Sequence, residues 1–445
     1  MKKLFGTDGV RGVANAELSP LLALKLGAAS AHALIERGKR TKVLIGRDPR
    51  ISGDLLENAL VAGICSQGVD AEIAGMIPTP GVAYLTRTTN AAAGAVISAS
   101  HNPVSDNGIK FFGVDGYKLE DAVEADIEKQ IDDFDRFRRP DGADVGRALR
   151  RHELVWEYAE HVKNTIDKPL GGMKMVVDSA NGAASELAPR IFDELGGATT
   201  CINCVPNGVN INQDCGSLHP DNMAKAVHEA GADVGMSFDG DADRVILSDE
   251  KGNVVDGDHM MAIYALHRAR TGGLPENTVV ATVMSNIGFE LALKKENIKL
   301  TRTAVGDRYV SEEIRRSGAV IGGEQSGHII FSQHTTTGDG MVTALQILQV
   351  MLETGKKLSE LSGEMQDYPQ LLVNVRVAQR DGWDENPQIL SSIRDVEAKL
   401  EGRGRVLVRP SGTEKLIRVM AEGPDQSELD SLVGQIADTV KKEMG

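Results

Sequence analysis

The chain has 445 residues, of which 41% are hydrophobic and 25% charged, and this composition is typical of a soluble globular protein with several domains. The 64 acidic and 49 basic residues give a formal net charge of −15, which argues against a nucleic-acid or membrane-surface partner. The sequence has neither the apolar stretch of a signal peptide nor the ~18 apolar residues that span a bilayer. We therefore expect a cytoplasmic protein.

Strand-like apolar runs alternate with amphipathic helical stretches along most of the chain, which predicts α/β layers with a largely parallel sheet. The order of strand, polar loop and helix occurs three times, as in a weak internal repeat. The predicted strands cover residues 42–46, 71–74, 174–177 and 279–283, and the predicted helices cover 52–67, the stretch up to 195, and 289–295.

After residue 368 the pattern changes to strand, helix, strand and helix, which predicts a compact α+β domain. Its strands cover residues 371–377 and 405–408, and its helices cover 389–400 and the stretch from 427. We expect four domains, over residues 1–150, 151–254, 255–368 and 369–445.

Three of the four cysteines have, together with one histidine, the spacing of a zinc site: Cys201, Cys204, Cys215 and His219. The first two lie in a strand-like run, where alternation would place their side chains on opposite faces. Buried, reduced thiols are the simpler interpretation, and we expect no disulfide framework.

A run of small and apolar residues ends in the sequence Ser-Ala-Ser-His-Asn-Pro, which includes Ser100. This is how a buried strand would deliver a hydroxyl to a cleft, although an ordinary turn explains the same residues. A serine becomes nucleophilic only beside a base and an activating cation. Lys110 and His101 are candidate bases: Lys110 would need a lowered pKa, whereas the pKa of a histidine lies near neutrality unaided.

A downstream loop carries three alternating aspartates, Asp239, Asp241 and Asp243, which could turn toward one point and hold Mg²⁺. The competing interpretation is an EF-hand calcium loop. That loop requires glycine at its sixth position, where this chain has Arg244, and helices at its flanks, where strands are predicted. Arg244 could contact a phosphate oxygen that the metal also binds.

Two further loops have the composition of ligand-binding turns. Glu324 and Ser326, in a glycine-rich stretch, suit the hydroxyls of a sugar, although a tight polar turn explains them equally well. The fourth loop combines hydroxyls, glycine and arginines in a phosphate cradle that lacks the P-loop pattern. Its residues are Arg409, Ser411, Gly412, Thr413 and, further along, Arg418.

These four loops, in this order, resemble those of the α-D-phosphohexomutase superfamily, and the resemblance spans essentially the whole chain. The N-terminal Phe-Gly-Thr-Asp-Gly-Val-Arg-Gly, the Ile-Ser-Ala-Ser-His-Asn-Pro loop and the Gly-Gly-Glu-Gln-Ser-Gly-His loop favour the branch that acts on glucosamine phosphates. The resemblance implies four domains around a central cleft. Three are related α/β domains with mixed sheets, and the last is a C-terminal α+β domain.

The resemblance also implies a role for each loop. Ser100 would be a phosphoserine whose phosphate binds one Mg²⁺ together with the three aspartates, and Arg11 and Arg244 would lie beside it. Lys110 occupies the place of a candidate general acid/base, and His101 adjoins the serine. Glu324 and Ser326 would bind sugar hydroxyls, and the loop of residues 409–413 with Arg418 would bind the phosphate that is not transferred. Lys415 stands where many relatives have proline, which affects affinity more than chemistry.

The implied reaction interconverts glucosamine 6-phosphate and glucosamine 1-phosphate, with a hexose or hexosamine 1,6-bisphosphate as activator and intermediate. It would feed the synthesis of UDP-N-acetylglucosamine and cell-wall precursors. The alternatives are a sister mutase acting on glucose or mannose phosphates, a metal phosphatase, and a non-catalytic sensor of sugar phosphates. The expected partner is a small sugar phosphate, and both a monomer and a homodimer are compatible with the sequence.

Overall fold

The computed structural model describes residues 4–6, 8–34, 42–411 and 414–445. These residues form two compact units. The larger unit comprises Met1–Met284 and Ile298–Gly363, and the smaller unit comprises Ser285–Asn297 and Glu364–Gly445.

The first sheet of the larger unit has six strands in the order β1-β5-β4-β2-β3-β6. Its helices α1 and α2 pack against each other, and the core beneath them is aliphatic, with Leu26, Ile45 and Leu60 fully buried. The elements are β1 (Val10–Val13), α1 (Pro20–Leu34), β2 (Lys42–Arg47), α2 (Gly53–Cys65), β3 (Asp70–Met76), α3 (Thr79–Thr88), β4 (Ala93–Ile97), β5 (Asp106–Phe112), α4 (Asp121–Asp132) and β6 (Ala148–Arg150).

The second sheet has five strands in the order β11-β10-β9-β7-β8. Its strands β9 and β10 are buried along their whole length, including their polar residues Ser237, Ser248 and Asp249. The elements are α5 (Leu154–Lys163), β7 (Lys174–Asp178), α6 (Leu187–Glu194), β8 (Ala198–Ile202), α7 (Pro220–Ala230), β9 (Val234–Phe238), β10 (Val245–Asp249) and β11 (Val254–Val255).

The third sheet has four strands in the order β13-β12-β14-β15, and the buried helix α11 contacts β15. The elements of this part of the chain are α8 (Gly257–Thr271), β12 (Thr278–Thr282), α9 (Ile287–Lys295), β13 (Lys299–Thr303), α10 (Asp307–Ser317), β14 (Ile321–Gly323), β15 (Ile329–Phe331), α11 (Gly340–Thr354) and α12 (Leu358–Ser362). Among them, α9 belongs to the smaller compact unit.

The three sheets share one four-strand design, which is the internal repeat that the sequence predicts. The shared orders are β5-β4-β2-β3, β10-β9-β7-β8 and β15-β14-β12-β13. In each, the last three strands are parallel and the first is antiparallel to its neighbour. The sheets are therefore mixed, as the family resemblance implies. The parallel strands that the sequence predicts form the greater part of each shared design, and the antiparallel strand is the part that periodicity does not reveal.

The same connection in each sheet carries a predicted functional loop. It joins the outer parallel strand to its antiparallel neighbour, and it covers residues 98–105, 239–244 and 324–328. Each of these turns contains one residue with positive φ: Ser100 at +52°, Ala242 at +55° and Gly327 at +87°. Only glycine fits the last position, because a Cβ there would lie 2.0 Å from the carbonyl oxygen of Val245.

The smaller unit contains an antiparallel sheet of order β16-β18-β17 and two long helices, which confirms the predicted α+β domain. Its elements are β16 (Gln370–Arg376), α13 (Pro387–Leu400), β17 (Arg405–Pro410), β18 (Leu416–Glu422) and α14 (Gln426–Met444). None of the helices within the described ranges has the length and apolar character needed to cross a membrane.

The cysteines differ from expectation at one place. Cys201 and Cys204 form a disulfide, with their Cα atoms 6.1 Å apart. Strand β8 ends at Ile202, and Asn203 adopts a φ of +51°, which ends the alternation that would have separated the two side chains. The expectation of two reduced thiols is therefore wrong, because it assumed an unbroken strand.

Candidate active site

Ser100 lies at the turn of the serine loop, which we define as residues 98–105. Its backbone is in the left-handed region, which is uncommon outside glycine, and its side chain is only 1% exposed. The Oγ atom donates a hydrogen bond to Oδ2 of Asp239 at 2.5 Å and lies 3.2 Å from Nδ1 of His101. The turn therefore directs the hydroxyl at the predicted metal loop.

Arg50 binds the backbone of the serine loop and is fully buried. Its guanidinium donates to the carbonyl oxygens of Ser100 at 2.9 Å and Asn102 at 2.8 Å, and its Nε pairs with Asp48 at 2.9 Å. Sequence reasoning does not single out Arg50. Its position could have indicated it, since it follows β2, and β2 is parallel to the strand that precedes the serine loop.

Asn212 binds the same backbone from the second sheet's part of the chain. Its Nδ2 lies 2.8 Å from the carbonyl oxygen of Ser100 and 3.1 Å from that of Asn102. The amide of Ser100 in turn donates to Oγ of Ser98 at 2.9 Å. Nothing in the sequence indicates Asn212, because its partner is 112 residues away along the chain.

Asp239, Asp241 and Asp243 are buried and bring one oxygen each within 4.8 Å of one another, as the alternation predicts. Their loop approaches the serine loop so closely that a Cβ at Gly240 would lie 2.6 Å from the carbonyl oxygen of Ser100. Burial and the two neighbouring carboxylates raise the pKa of Asp239 well above its ordinary value.

This triad fits a hard divalent cation. Oδ1 of Asp241 is buried and lacks a hydrogen-bond partner within the described ranges. Three buried carboxylates that bring their oxygen atoms this close together are a donor set that such a cation would stabilise. Among the described residues, the triad is the single group of acidic, histidine or cysteine side chains close enough to hold a metal, so the zinc spacing does not form a site.

Lys110 lies on β5 and is buried among carboxylates. Its Nζ donates to Oδ2 of Asp241 at 3.0 Å and lies 3.1 Å from Oδ2 of Asp8. Burial alone would lower the pKa of Lys110, but Asp241 and Asp8 raise it above its ordinary value. The surroundings therefore stabilise the ammonium form and oppose the lowered pKa that a general base would require.

His101 also differs from expectation. Burial and the positive charges of Arg244 and Arg11 lower its pKa to about 4, so the ring is neutral at pH 7 and does not titrate near neutrality. Arg11 itself pairs with Asp8, which also accepts from Lys118. Asp8 is thus a further candidate site residue, and the signal in the sequence that could have indicated it is its place in the N-terminal motif.

A cleft of about 460 Å³ opens onto these groups in the larger unit. Glu324 lies at its wall and accepts from the amide of Gly306 at 3.2 Å. The hydroxyl of Ser326 is buried and lacks a hydrogen-bond partner among the described residues. The polar side chains that line the cleft include Arg11, His101, Arg244, Asp307, Glu324 and His328.

His328, at the end of the same loop, connects the third sheet to the metal loop. It is buried, with Nδ1 3.5 Å from Oδ1 of Asp243 and Nε2 3.7 Å from Oδ2 of Asp307. The three equivalent turns therefore meet: one carries the serine, one the aspartates, and one the residues suited to a sugar.

The phosphate loop lies in the smaller unit. Arg409 and Arg418 are cross-strand partners on β17 and β18, and burial together with the charge of Arg418 lowers the pKa of Arg409. Nε of Arg418 is buried without a hydrogen-bond partner in the part of the chain that the structure describes. Ser411 is buried, and its hydroxyl accepts from the amide of Glu414 at 3.3 Å. Two adjacent guanidinium groups with an unmet donor fit an anion.

The remaining predicted residues of this loop are Gly412 and Thr413, which lie outside the described residues. Lys415 is exposed, and its carbonyl oxygen accepts from the amide of Val377 at 3.1 Å. Its side chain therefore adds charge at the surface of the hairpin.

Four family models match consecutive parts of the chain. They are the α/β/α domains I, II and III of phosphoglucomutase/phosphomannomutase, over residues 2–137, 156–252 and 256–368, and the C-terminal domain, over residues 372–439.

The chain is also similar to named proteins over its whole length. It is 55% identical over 441 residues to a phosphoglucosamine mutase of Desulforamulus reducens, covering 99% of both chains. A phosphoglucomutase/phosphomannomutase family protein of Burkholderia thailandensis superposes with a TM-score of 0.83 at 23% identity, covering 99% of this chain and 98% of that chain. An N-acetylphosphoglucosamine mutase of Aspergillus fumigatus, in complex with GlcNAc-6P and magnesium, superposes with a TM-score of 0.68 at 19% identity. The match covers 99% of this chain and 96% of that chain. The last two similarities concern the fold.

Proposed function

We propose that this chain, which belongs to the phosphoglucomutase/phosphomannomutase family, interconverts glucosamine 6-phosphate and glucosamine 1-phosphate. One observation carries the chemistry: the hydroxyl of Ser100 is hydrogen-bonded to Asp239 of a buried aspartate triad beside a polar cleft. The full-length identity to a relative named phosphoglucosamine mutase supports the choice of sugar.

The reaction begins with a phosphoryl group on Oγ of Ser100. The free hydroxyl of the sugar phosphate attacks the phosphorus, the bond from phosphorus to Oγ breaks, and a 1,6-bisphosphate forms. The bisphosphate turns over in the cleft, and Oγ attacks its other phosphoryl group. The second sugar phosphate then leaves, and the enzyme is phosphorylated again.

The side chains around Oγ would have two roles, which are proton transfer and stabilisation of negative charge. Neutral His101, 3.2 Å away, is placed to accept the proton of an attacking hydroxyl. The ammonium of Lys110 and the guanidinium groups of Arg11 and Arg244 supply positive charge near the transferring group, where most of the rate enhancement arises.

The aspartate triad would hold Mg²⁺, and the phosphate of Ser100 would complete the site. When bound, the ion supplies Lewis-acid stabilisation of the charge on the phosphoryl oxygens. The hydrogen bond of 2.5 Å between Oγ of Ser100 and Asp239 supports this arrangement.

Substrate binding would be shared between two loops. Glu324 and Ser326 would bind sugar hydroxyls. The carboxylate of Glu324 is a hydrogen-bond acceptor at the cleft wall, and the hydroxyl of Ser326 lacks a hydrogen-bond partner among the described residues. Arg409, Ser411 and Arg418, together with Gly412 and Thr413, would bind the phosphate that is not transferred. Domains over residues 1–150, 151–254, 255–368 and 369–445 would each contribute one of the four loops.

The test is the intact mass of the purified protein before and after incubation with glucose 1,6-bisphosphate and Mg²⁺. We expect a gain of one phosphoryl group at Ser100 that glucosamine 6-phosphate removes, and no gain in Ser100→Ala. Release of inorganic phosphate would indicate a phosphatase, and no phosphorylation would indicate a sensor.

The choice of sugar needs a second measurement. The ratio of kcat/KM for glucosamine 6-phosphate to that for glucose 6-phosphate and mannose 6-phosphate should favour the amino sugar. A ratio below one would assign the chain to a sister activity of the same family.

A further inference from the structure

The Cys201–Cys204 disulfide stands apart from the other thiols. It lies at the end of β8, an edge strand, where Cys201 is exposed and Cys204 half-buried. Cys215 is buried, and desolvation raises the pKa of its thiol to about 12. Burial also raises the pKa of Cys65. Cys65 is half-buried, so Cys201 is the one exposed cysteine of the four and gives the pair its accessible sulfur.

The segment of residues 203–212 begins between the two cysteines, is rich in asparagine and leads to the candidate active site. The carbonyl oxygen of Asn203 accepts from the amide of Asn181 at 2.6 Å. Oδ1 of Asn181 accepts from the amide of Val205 at 3.1 Å. The carbonyl oxygen of the preceding residue, Ala180, accepts from the amide of Asn212 at 2.9 Å. We call this stretch the asparagine segment.

The asparagine segment ends on the nucleophile. Asn212 holds the carbonyl oxygens of Ser100 and Asn102, and the carbonyl oxygen of Gly208 accepts from the amide of Ile51 at 2.8 Å. One end of the segment is therefore fixed by a covalent bond between sulfur atoms, and the other end fixes the backbone of the serine loop.

We propose that Cys201 and Cys204 form a reversible thiol–disulfide site that controls the order of the serine loop through the asparagine segment. The redox partner is a low-molecular-weight disulfide, of the kind that glutathione forms.

The chemistry is thiol–disulfide exchange. The exposed thiolate of Cys201 attacks one sulfur of the small disulfide, a mixed disulfide forms, and one small thiolate leaves. The thiolate of Cys204 then attacks the sulfur of Cys201, and the second small thiolate leaves. Two electrons pass from the cysteines to the small disulfide, and the two protons end on the released thiols.

The disulfide closes a ring around Asn203 and fixes the conformation in which its carbonyl oxygen reaches Asn181. Reduction opens the ring, and the start of the asparagine segment, at Asn203, is then held by hydrogen bonds alone. The grip of Asn212 on the serine loop should loosen as a result, so the oxidised form is the better ordered.

The experiment compares the whole protein in reduced and oxidised glutathione buffers. Alkylation followed by mass spectrometry measures the state of each cysteine, and hydrogen–deuterium exchange measures peptides that cover residues 203–212 and 98–105. We expect full conversion of the pair and roughly threefold faster exchange in both peptides on reduction. Cys201→Ser should show the reduced pattern in both buffers, and Cys65→Ser should behave as the unmodified chain.

Activity supplies an independent readout that rests on the proposed function. We expect kcat for the mutase reaction to fall about two- to fivefold on reduction, and not in Cys201→Ser. Equal exchange in the two states, equal kcat in an active enzyme, or failure of the disulfide to form would overturn the proposal. Absence of mutase activity in both states, with a change in exchange, would count against the proposed function alone.

Discussion

The serine loop and the loop of residues 409–413 are both proposed to bind phosphate, yet they are built in different ways. Within the serine loop Ser100 is buried, and its carbonyl oxygen accepts hydrogen bonds from both Arg50 and Asn212. The phosphate loop presents two half-buried arginines side by side, one with an unmet donor. A group that reacts must be held in one position, whereas a group that is only anchored needs charge at the right place.

The largest expected effect comes from the reacting side of this comparison. Asp239→Asn should lower kcat at least about 10³-fold, because the reacting oxygen and the cation both lose a charged neighbour. Burial and the other carboxylates raise the pKa of Asp239, so the neutral side chain should leave the melting temperature in EDTA unchanged or higher. Thermal unfolding with and without Mg²⁺ measures the second effect.

The exposed Asp221→Asn serves as the control for this variant. Normal activity of Asp239→Asn, or a melting temperature that Mg²⁺ still raises as in the unmodified chain, would contradict the metal assignment.

Arg50→Lys tests whether position, and not charge, governs the serine loop. It keeps the positive charge but loses the planar fork that binds two carbonyl oxygens, so kcat should fall about 10²-fold with KM little changed. Arg47→Lys, three residues upstream in an ion pair with Asp54, is the matched control and should retain full activity. Equal kcat in the two variants would remove the distinction between the two loops.

Arg418→Ala tests the anchoring side. It should raise KM about 10- to 100-fold and change kcat less, because the contact is made equally in the ground state and the transition state. Arg403→Ala, which removes an exposed ion pair with Glu428 in the same unit, should leave KM unchanged. A fall in kcat without a rise in KM would place Arg418 in the chemistry.

The smallest effect concerns the support of the metal loop. Asp339 is the N-cap of α11 and accepts a hydrogen bond from the hydroxyl of Tyr158 at 2.8 Å. The amide of the next residue, Gly340, donates to the carbonyl oxygen of Ala242 in the metal loop. Burial raises the pKa of Asp339 to about 6. A raised pKa means that the folded state prefers the protonated form, so its stability contribution is present below about pH 4 and lost as pH rises through 6.

Relative to Asp339→Asn, the unmodified chain should therefore lose up to roughly 3 kcal/mol of stability between pH 4 and pH 7. Urea unfolding of both proteins at these two pH values measures the difference. The same pH dependence in both proteins would show that Asp339 titrates normally.

The sequence predicts most of the architecture, because buried parallel strands and amphipathic helices have clear periodicities. It also predicts the serine and aspartate loops, since their residue types are chemically constrained. Arg50, Asn212 and Asp8 are harder to predict, because each acts through a partner that only the folded chain brings near.

The two misjudged titrations have the same origin. The carboxylate that most raises the pKa of Lys110 belongs to Asp241, 131 residues further along the chain, and the charge that lowers the pKa of His101 comes mainly from Arg244. The cysteine pair depends instead on the single left-handed residue Asn203. Local patterns in the sequence record none of these relations.

The left-handed backbone at position 100 also restricts which amino acid could serve as the proposed nucleophile. A β-branched side chain is strongly disfavoured at positive φ, so threonine would offer the same hydroxyl only with a distorted loop. Glycine would fit the backbone best and would carry no oxygen at all. Serine has the smallest hydroxyl-bearing side chain, and it can adopt the left-handed backbone conformation at some cost in energy. The identity of the proposed phosphate carrier is in this sense a matter of stereochemistry as much as of reactivity.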